Sequence, residues 1–369
     1  MADTRACAEH SVHGSAFSVS HWPPSGKEVP MHTVYPGRFS RRRFLRGITL
    51  AGTAGLLGWH PRHAAAEPPP ETTRIRLVRI PSICQAPPYV AEELLRSEGF
   101  TEVHYLQREG TADIAPALAS GEADLSAHFA APLLLRLEAG DPIVILAGLH
   151  VGCFELFGTD RIQSIRDLKG KTVAVPALDS SRYVFLATMT AYVGLDLHKD
   201  IHFVTHPGPE SIRLLGEGKI DAYLGFPPEP QEMREQQIGH VVISSTVDRP
   251  WSQYFCCMLA GEREFVRTHP VATKRALRAI LKAADFCTGE PEQSARFLVQ
   301  QGYTKRYDHA LQVMKAIPYG WREYSAEDTL RFYALRLHEV GMLKSTPQKL
   351  LAKGTDWRFF NELKHELKT

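Results

Sequence analysis

From residue 75 onward the chain alternates between two hydrophobic rhythms. Short β-branched or alternating runs recur at 75–80, 102–107, 123–129, 171–175, 201–205, 222–226 and 241–244, and each predicts a strand. Residues 142–157 are mostly apolar and predict one long strand or two pieces. Between these runs, 86–97, 111–120 and 183–193 carry a helical period, with Gly99 just beyond the end of the first. From Glu262 onward the pattern is nearly all helical, through Leu343 and again over 357–367. Strand and helix in regular alternation predict an α/β fold, with mostly parallel sheets covered by helices on both faces.

One stretch is echoed. Leu118-x-x-Gly121-x-x-Asp124, running into Phe129, has its counterpart in Leu215-x-x-Gly218-x-x-Asp221, running into Phe226. Both pass from a helix end through a glycine stop to an acid and a strand. Both helices open after a loop, at Gly110-Thr111 and at Pro207-Gly208-Pro209. Any turn from helix to strand favours a glycine, so chance recurrence is one reading. Two α/β lobes of similar plan is the other. It places the first lobe at 67–160 and 252–369 and the second at 161–251, joined near 157–165 and 246–253.

The N-terminal stretch breaks this rhythm. Ser40-Arg41-Arg42-Arg43-Phe44-Leu45-Arg46 has the pattern of a twin-arginine export signal. The weakly apolar run 47–59 follows, 13 residues with four glycines, too short to span a bilayer. Ala64-Ala65-Ala66 then suits a signal-peptidase cleft, so cleavage is expected after Ala66. Met31 opens a more ordinary leader than Met1 does, and translation is expected to start there. Residues 1–66 hold eight Lys/Arg and three Asp/Glu, which leaves 35 bases against 38 acids beyond them. The basic excess thus belongs to the leader, and no nucleic-acid groove or anionic membrane surface is expected. No later segment approaches about 20 uninterrupted apolar residues, so a soluble mature protein follows.

Five cysteines remain beyond the leader: Cys84, Cys153, Cys256, Cys257 and Cys287. Their odd number and irregular spacing argue for buried free thiols rather than a disulfide framework. On a regular strand, Cys256 and Cys257 point to opposite faces. His198, His202 and His206, spaced by four, would make a metal face on a helix, but 201–205 reads as a strand. No metal site is expected from these histidines, and no cofactor.

Several stretches together resemble periplasmic solute-binding proteins of ABC importers, in the group that takes nitrate, sulfonates, taurine or thiamine-precursor pyrimidines. They are Pro87-Pro88-Tyr89-Val90-Ala91, the Leu118-x-x-Gly121-x-x-Asp124 turn, Leu168-Lys169-Gly170-Lys171-Thr172-Val173-Ala174-Val175, Ser180-Ser181, Gly218-Lys219-Ile220-Asp221-Ala222 and Pro228-Glu229-Pro230. The resemblance covers 74–368. It implies a two-lobed periplasmic-binding-protein fold of type II, with mixed sheets flanked by helices, a ligand cleft between the lobes and the C-terminal helices on the first lobe. The implied partners are a small, anionic organic or oxyanion solute, a membrane permease with its ATPase subunit, and the twin-arginine translocase during export. The protein itself is expected to be a periplasmic monomer.

In open α/β sheets ligands sit beyond the carboxyl ends of the strands. Four such ends are visible, at 81–85, 128–129, 177–182 and 226–229. Asp179-Ser180-Ser181-Arg182 opens a helix, where backbone N–H groups and serine hydroxyls suit an anion and Arg182 a charge partner. Plain helix capping explains the same residues and is compatible with that role. Gln85, Tyr89, His128 and Phe129 are candidates on the other lobe, and Cys153, Phe154, Phe226 and Glu229 line the cleft in the same reading. His128 also reads as a satisfied, partly buried histidine, and Tyr89 as a packing residue of the first helix.

Catalytic signatures are missing. There is no phosphate loop, Gly-x-Ser-x-Gly, Ser-x-x-Lys or His-Glu-x-x-His. The main alternative is an enzyme on the same fold, a thiamine-pyrimidine synthase. Its dense cysteine-rich iron-binding cluster has no match here beyond Cys153-Phe154 and Phe255-Cys256-Cys257. A transcription-regulator effector lobe would need an N-terminal helix-turn-helix, and the leader stands in its place.

Overall fold

The computed structural model describes residues 67–368. Arg41 and Arg42 of the export signal, Met31 and the cleavage point at Ala66 lie outside the described residues. Within them, ten strands form two five-stranded mixed sheets. The first has the order β2-β1-β3-β10-β4, built from β1 (Arg74–Arg79), β2 (Glu102–Gln107), β3 (Leu125–Phe129), β4 (Ile143–Val151) and β10 (Phe255–Glu262). The second has the order β7-β6-β8-β5-β9, from β5 (Glu155–Gly158), β6 (Lys171–Val175), β7 (Ile201–Thr205), β8 (Ala222–Gly225) and β9 (His240–Ser244). In each sheet three strands consecutive in the chain run parallel, β1 to β3 and β6 to β8, and the strands where the chain arrives from or leaves for the other sheet are joined by antiparallel pairing.

The echoed turns do the same work in both sheets. Gly121 and Gly218 end their helices at φ of +73° and +67°. Asp124 then accepts the backbone N–H of Arg76 at 2.7 Å, and Asp221 that of Thr172 at 2.9 Å. Their own backbone N–H groups return to the carbonyls of the same two residues, at 2.9 and 2.8 Å. A guanidinium closes each turn, Arg76 on Asp124 and Arg161 on Asp221. These aspartates fix the register of β3 on β1 and of β8 on β6.

The first crossing between sheets comes earlier than the 157–165 expected. β5 pairs with β8 and β9 of the second sheet, so the chain crosses at Gly152-Cys153-Phe154. Apolar residues run through the junction without a polar loop, which hid it from the hydropathy pattern. Residues 142–157 are therefore two strands. Gly152 takes φ +70° and lies against Thr246 of the second crossing, where an added Cβ would stand 2.5 Å from the Thr246 Cα. Ser245 ties the crossings together. Its hydroxyl accepts the N–H groups of Cys153 (3.2 Å) and Phe154 (2.9 Å), and its N–H donates to the Phe154 carbonyl at 2.8 Å.

Some elements are absent from the strand and helix runs of the sequence pattern, among them one helix of the first sheet and β10. Helix Ala130–Ala139 begins in a fully apolar stretch, and β10 is buried on both faces, so neither shows a clean period. Residues 86–97, read as one helix, form two, Ala86–Val90 and Glu92–Ser97, joined at Ala91. Helix Ala326–Glu339 packs on helix Ser181–Val193, with Phe185 and Tyr333 ring centroids 5.9 Å apart. That apolar contact joins the sheets on one side. No described helix is long and apolar enough to cross a membrane.

Candidate functional site

A cavity of about 340 Å³ lies between the two sheets, on the side where strand carboxyl ends face each other. From the first sheet it is lined by Ile80 and Pro81 after β1 and by Glu109 to Ala112 after β2. The second supplies Pro176, Ala177, Ser180 and Arg182 after β6, Pro207 and Gly208 after β7, and Phe226, Pro228 and Glu229 after β8. Its volume is at the lower end of small-molecule sites, about 300–1,000 Å³. A larger, shallower depression lies along β7, lined by residues such as Leu178, Tyr183 and Phe203, but it belongs to one sheet edge and gathers no strand ends.

Two helices of the second sheet begin at this cavity, Ser181–Val193 and Gly208–Gly216. Their first N–H groups carry the positive end of the helix dipole. Ser180 caps the first helix, its hydroxyl accepting the Tyr183 N–H at 3.3 Å and donating to the Ala177 carbonyl at 2.7 Å. The Ser181 hydroxyl is buried and has no hydrogen-bond partner among the described residues. The capping reading therefore accounts for Ser180, and a free donor remains in Ser181.

Arg182 is the cation at this end. Its Nη2 lies 2.6 Å from both carboxylate oxygens of Glu229, and its guanidinium stacks 4.2 Å over the Phe226 ring. Burial works against its charge, and Glu229 outweighs that, holding Arg182 above its ordinary pKa. The Glu229 carboxylate also lies over Gly208, where any Cβ would collide with it. It therefore occupies the start of helix Gly208–Gly216 and the guanidinium at once. Beside it the Tyr223 hydroxyl is buried with no hydrogen-bond partner among the described residues, and its phenol is raised by burial and then by Glu229.

Of the residues expected to bind ligand, Ser180, Arg182, Phe226 and Glu229 line this cavity. Gln85, Tyr89, His128, Phe129, Cys153 and Ser181 do not. The Tyr89 hydroxyl is bonded to the N–H and carbonyl of Ile80, at 3.1 and 3.2 Å, and its ring stacks on Tyr303, so it packs the first helix. Phe129 meets Phe154 at 4.8 Å and Phe226 at 5.3 Å, closing the space between the sheets with rings. Gln85 Nε2 and His128 Nδ1 are buried without partners among the described residues, and burial lowers the His128 pKa to about 4. Glu109, Thr111 and Gly208 were not singled out as ligand contacts. They sit at the ends of β2 and β7, so the strand-end rule reaches them once all parallel strands are included.

The cysteines differ from expectation in one respect. All five are buried and free, but Cys256 and Cys257 do not follow a regular strand. The register slips between Phe255 and Met258: Phe255 stands opposite Val151 and Cys257 opposite His150, which leaves Cys256 as the extra residue of a β-bulge. Cys256 Sγ reaches Cys153 Sγ at 3.1 Å.

With this geometry in view, comparison with known proteins places the chain. The model of the family described as NMT1/THI5 like matches residues 86–294, more than half of the chain. The chain belongs to the NMT1/THI5-like family. The bicarbonate-binding protein CmpA of Synechococcus elongatus is 28% identical over 94 residues, which is 26% of this chain and 20% of CmpA. The matched stretch thus spans about a fifth of that relative's length. Among solved structures, the periplasmic nitrate-binding protein NrtA from Synechocystis PCC 6803 superposes with a TM-score of 0.68 at 16% identity, over 81% of this chain and 90% of NrtA. The alkanesulfonate-binding protein SsuA from Xanthomonas axonopodis pv. citri, bound to MOPS, gives 0.64 at 15% identity, over 78% and 99%. At these identities the likeness is one of fold, and the fold is that of periplasmic binding proteins.

Proposed function

We propose that this chain is the extracytoplasmic solute-binding component of an ABC importer. It captures a small anionic solute, an organic acid or oxyanion, between two lobes that close on it, and hands the solute to a membrane permease driven by its ATPase subunit. One observation carries the reading: the Glu229 carboxylate sits where an anion would, at a helix start and against the buried Arg182. Glu229 holds the place of the ligand, and an incoming anion takes over Arg182 and the helix N–H groups while Glu229 turns away. The bicarbonate, nitrate and sulfonate named for CmpA, NrtA and SsuA support an anionic class. The lobes of this proposal follow the two sheets, with the hinge at Gly152–Phe154 and between β9 and β10. Arg41 and Arg42 direct the folded chain through the twin-arginine translocase to the periplasm, where it is cleaved after Ala66 and works as a monomer.

The solute leaves chemically unchanged in this account, because the described cavity pairs no nucleophile with a base. A thermal-shift screen of nitrate, bicarbonate, alkanesulfonates, taurine, pyrimidines and aromatic acids tests it. A ligand at 100 times its dissociation constant adds about 2.7 kcal/mol of stability, and mass spectrometry after long incubation recovers it intact. Turnover by the pure protein would instead favour an enzyme of the thiamine-pyrimidine synthase kind.

A further inference from the structure

Behind the solute cavity a second constellation gathers residues from four separate places in the chain. Cys84 lies in the single turn after β1, His150 near the end of β4, Cys153 in the first crossing, and Cys256 with Cys257 in the bulge of β10. None of the five is more than 3% exposed. The sulfurs of Cys84 and Cys153 and a ring nitrogen of His150 all lie within 4.8 Å of one another. The Cys256 sulfur is 3.1 Å from that of Cys153, and Cys257 stands opposite His150 in the pairing of β10 with β4.

Three features turn these side chains inward. His150 Nδ1 faces the Val151 carbonyl at 3.4 Å, while its Nε2 is buried with no partner among the described residues. A proton on Nδ1 leaves the Nε2 lone pair free, the form in which imidazole ligates metals. Cys153 holds φ at +133°, in a region a side chain rarely occupies, and its N–H is fixed by Ser245. Such strain persists where the surroundings impose it and concentrates at functional positions. Around the cluster, Ser82 Oγ lies 3.1 Å from the Cys84 sulfur, and the Tyr319 hydroxyl donates to the Cys84 carbonyl at 3.1 Å. These contacts supply the outer support that ligand residues need.

We propose that Cys84, His150, Cys153 and the Cys256–Cys257 pair bind one thiophilic d10 cation, Zn(II) or Cu(I). Thiolate and imidazole donors select these ions over Mg(II) or Ca(II), which require oxygen. With metal–sulfur bonds of about 2.3 Å and metal–nitrogen bonds of about 2.0 Å, tetrahedral donors stand roughly 3.5–3.8 Å apart. The cluster reaches that spacing by contracting about an ångström. Protein donors fill the coordination sphere and water is excluded, so the site is closed and structural. It fastens the first crossing to the first sheet, beside the rings of Phe129 and Phe154. The Cys153–Cys256 approach also suits a disulfide, which would consume two of the donors.

The test uses the reduced full chain under anaerobic conditions. Zn(II) is titrated against a chromophoric chelator, Cu(I) against a cuprous chelator, and Co(II) serves as a spectroscopic substitute. Uptake of one equivalent is expected for Zn(II) or Cu(I), with thiolate-to-cobalt charge-transfer absorption. Cys84→Ser and Cys153→Ser should each weaken binding about tenfold or more and remove that absorption. Cys287→Ser, in a helix away from the cluster, should leave both unchanged. If a cluster variant does not fold, X-ray absorption on the wild-type complex provides the reading, as sulfur donors with one nitrogen. The proposal is overturned if neither ion binds stoichiometrically, or if binding is indifferent to Cys84→Ser. It is equally overturned if the chain as isolated holds no metal and shows four free thiols in denaturant rather than the six of its sequence.

Discussion

Arg182 and Glu229 are 47 residues apart in the chain and share one pair of short hydrogen bonds. Arg182→Met removes the cation and leaves a carboxylate at the cavity wall without its partner. Breaking one side of a largely buried pair costs about 3 kcal/mol, so a lower denaturant midpoint is expected together with loss of anion binding. Glu229→Gln should behave differently. It frees Arg182 without emptying the space, so affinity for an anion rises while the fold holds, measurable in parallel titrations. His128 gives a pH signature of its own. Its folded pKa of about 4 lies below the ordinary value near 6.5, so the unfolded chain binds more protons between these values. Stability from this residue is complete above pH 6.5 and falls as pH drops toward 4, by up to roughly 3 kcal/mol. The comparison to make is therefore wild type against His128→Gln, whose acid sensitivity should be the smaller. The sequence marks Arg182 and Glu229 as strand-end residues. It does not reveal their pairing, which depends on a glycine at 208 letting the carboxylate lie over a helix start.

The elements show where sequence is legible and where it fails. β6 and β7 coincide with the runs 171–175 and 201–205, because each is short, β-branched and bounded by turn residues. The Gly-x-x-Asp echo also carries structural meaning, since Asp124 and Asp221 make the same bonds in both sheets. By contrast β10 escaped notice because burial on both faces removes alternation, and its bulge overrode the rule that adjacent residues point apart. The first crossing was misplaced for a related reason: its contacts are to residues 245 and 246, far along the chain. Ser245 is the test of that junction. In Ser245→Ala the N–H groups of Cys153 and Phe154 lose their acceptor in a buried place. A loss of about 1–3 kcal/mol is expected in denaturant unfolding, with a fold that still forms.

At the scale of the whole molecule, the two sheets meet through apolar helix packing on one side and a small cavity, largely apolar with Arg182 and Glu229 in its wall, on the other. Arg306 and His309, from the C-terminal helical region, both reach Glu235 of the second lobe, at 3.0 and 3.3 Å. The Arg306–Glu235 pair is exposed on both sides and holds the lobes only lightly. In Arg306→Ala, scattering should report a less compact particle without ligand and an unchanged compact one at saturation, because the solute binds the closed form better. Export is tested on the same scale: Arg41→Lys with Arg42→Lys should leave uncleaved precursor in the cytoplasm. The most direct measurement is a calorimetric titration of the wild type and of Arg182→Met with whichever anion the thermal-shift screen selects. The account predicts one saturable site in the wild type and none in the variant, both folded by circular dichroism. Equal affinity in the two proteins would contradict it.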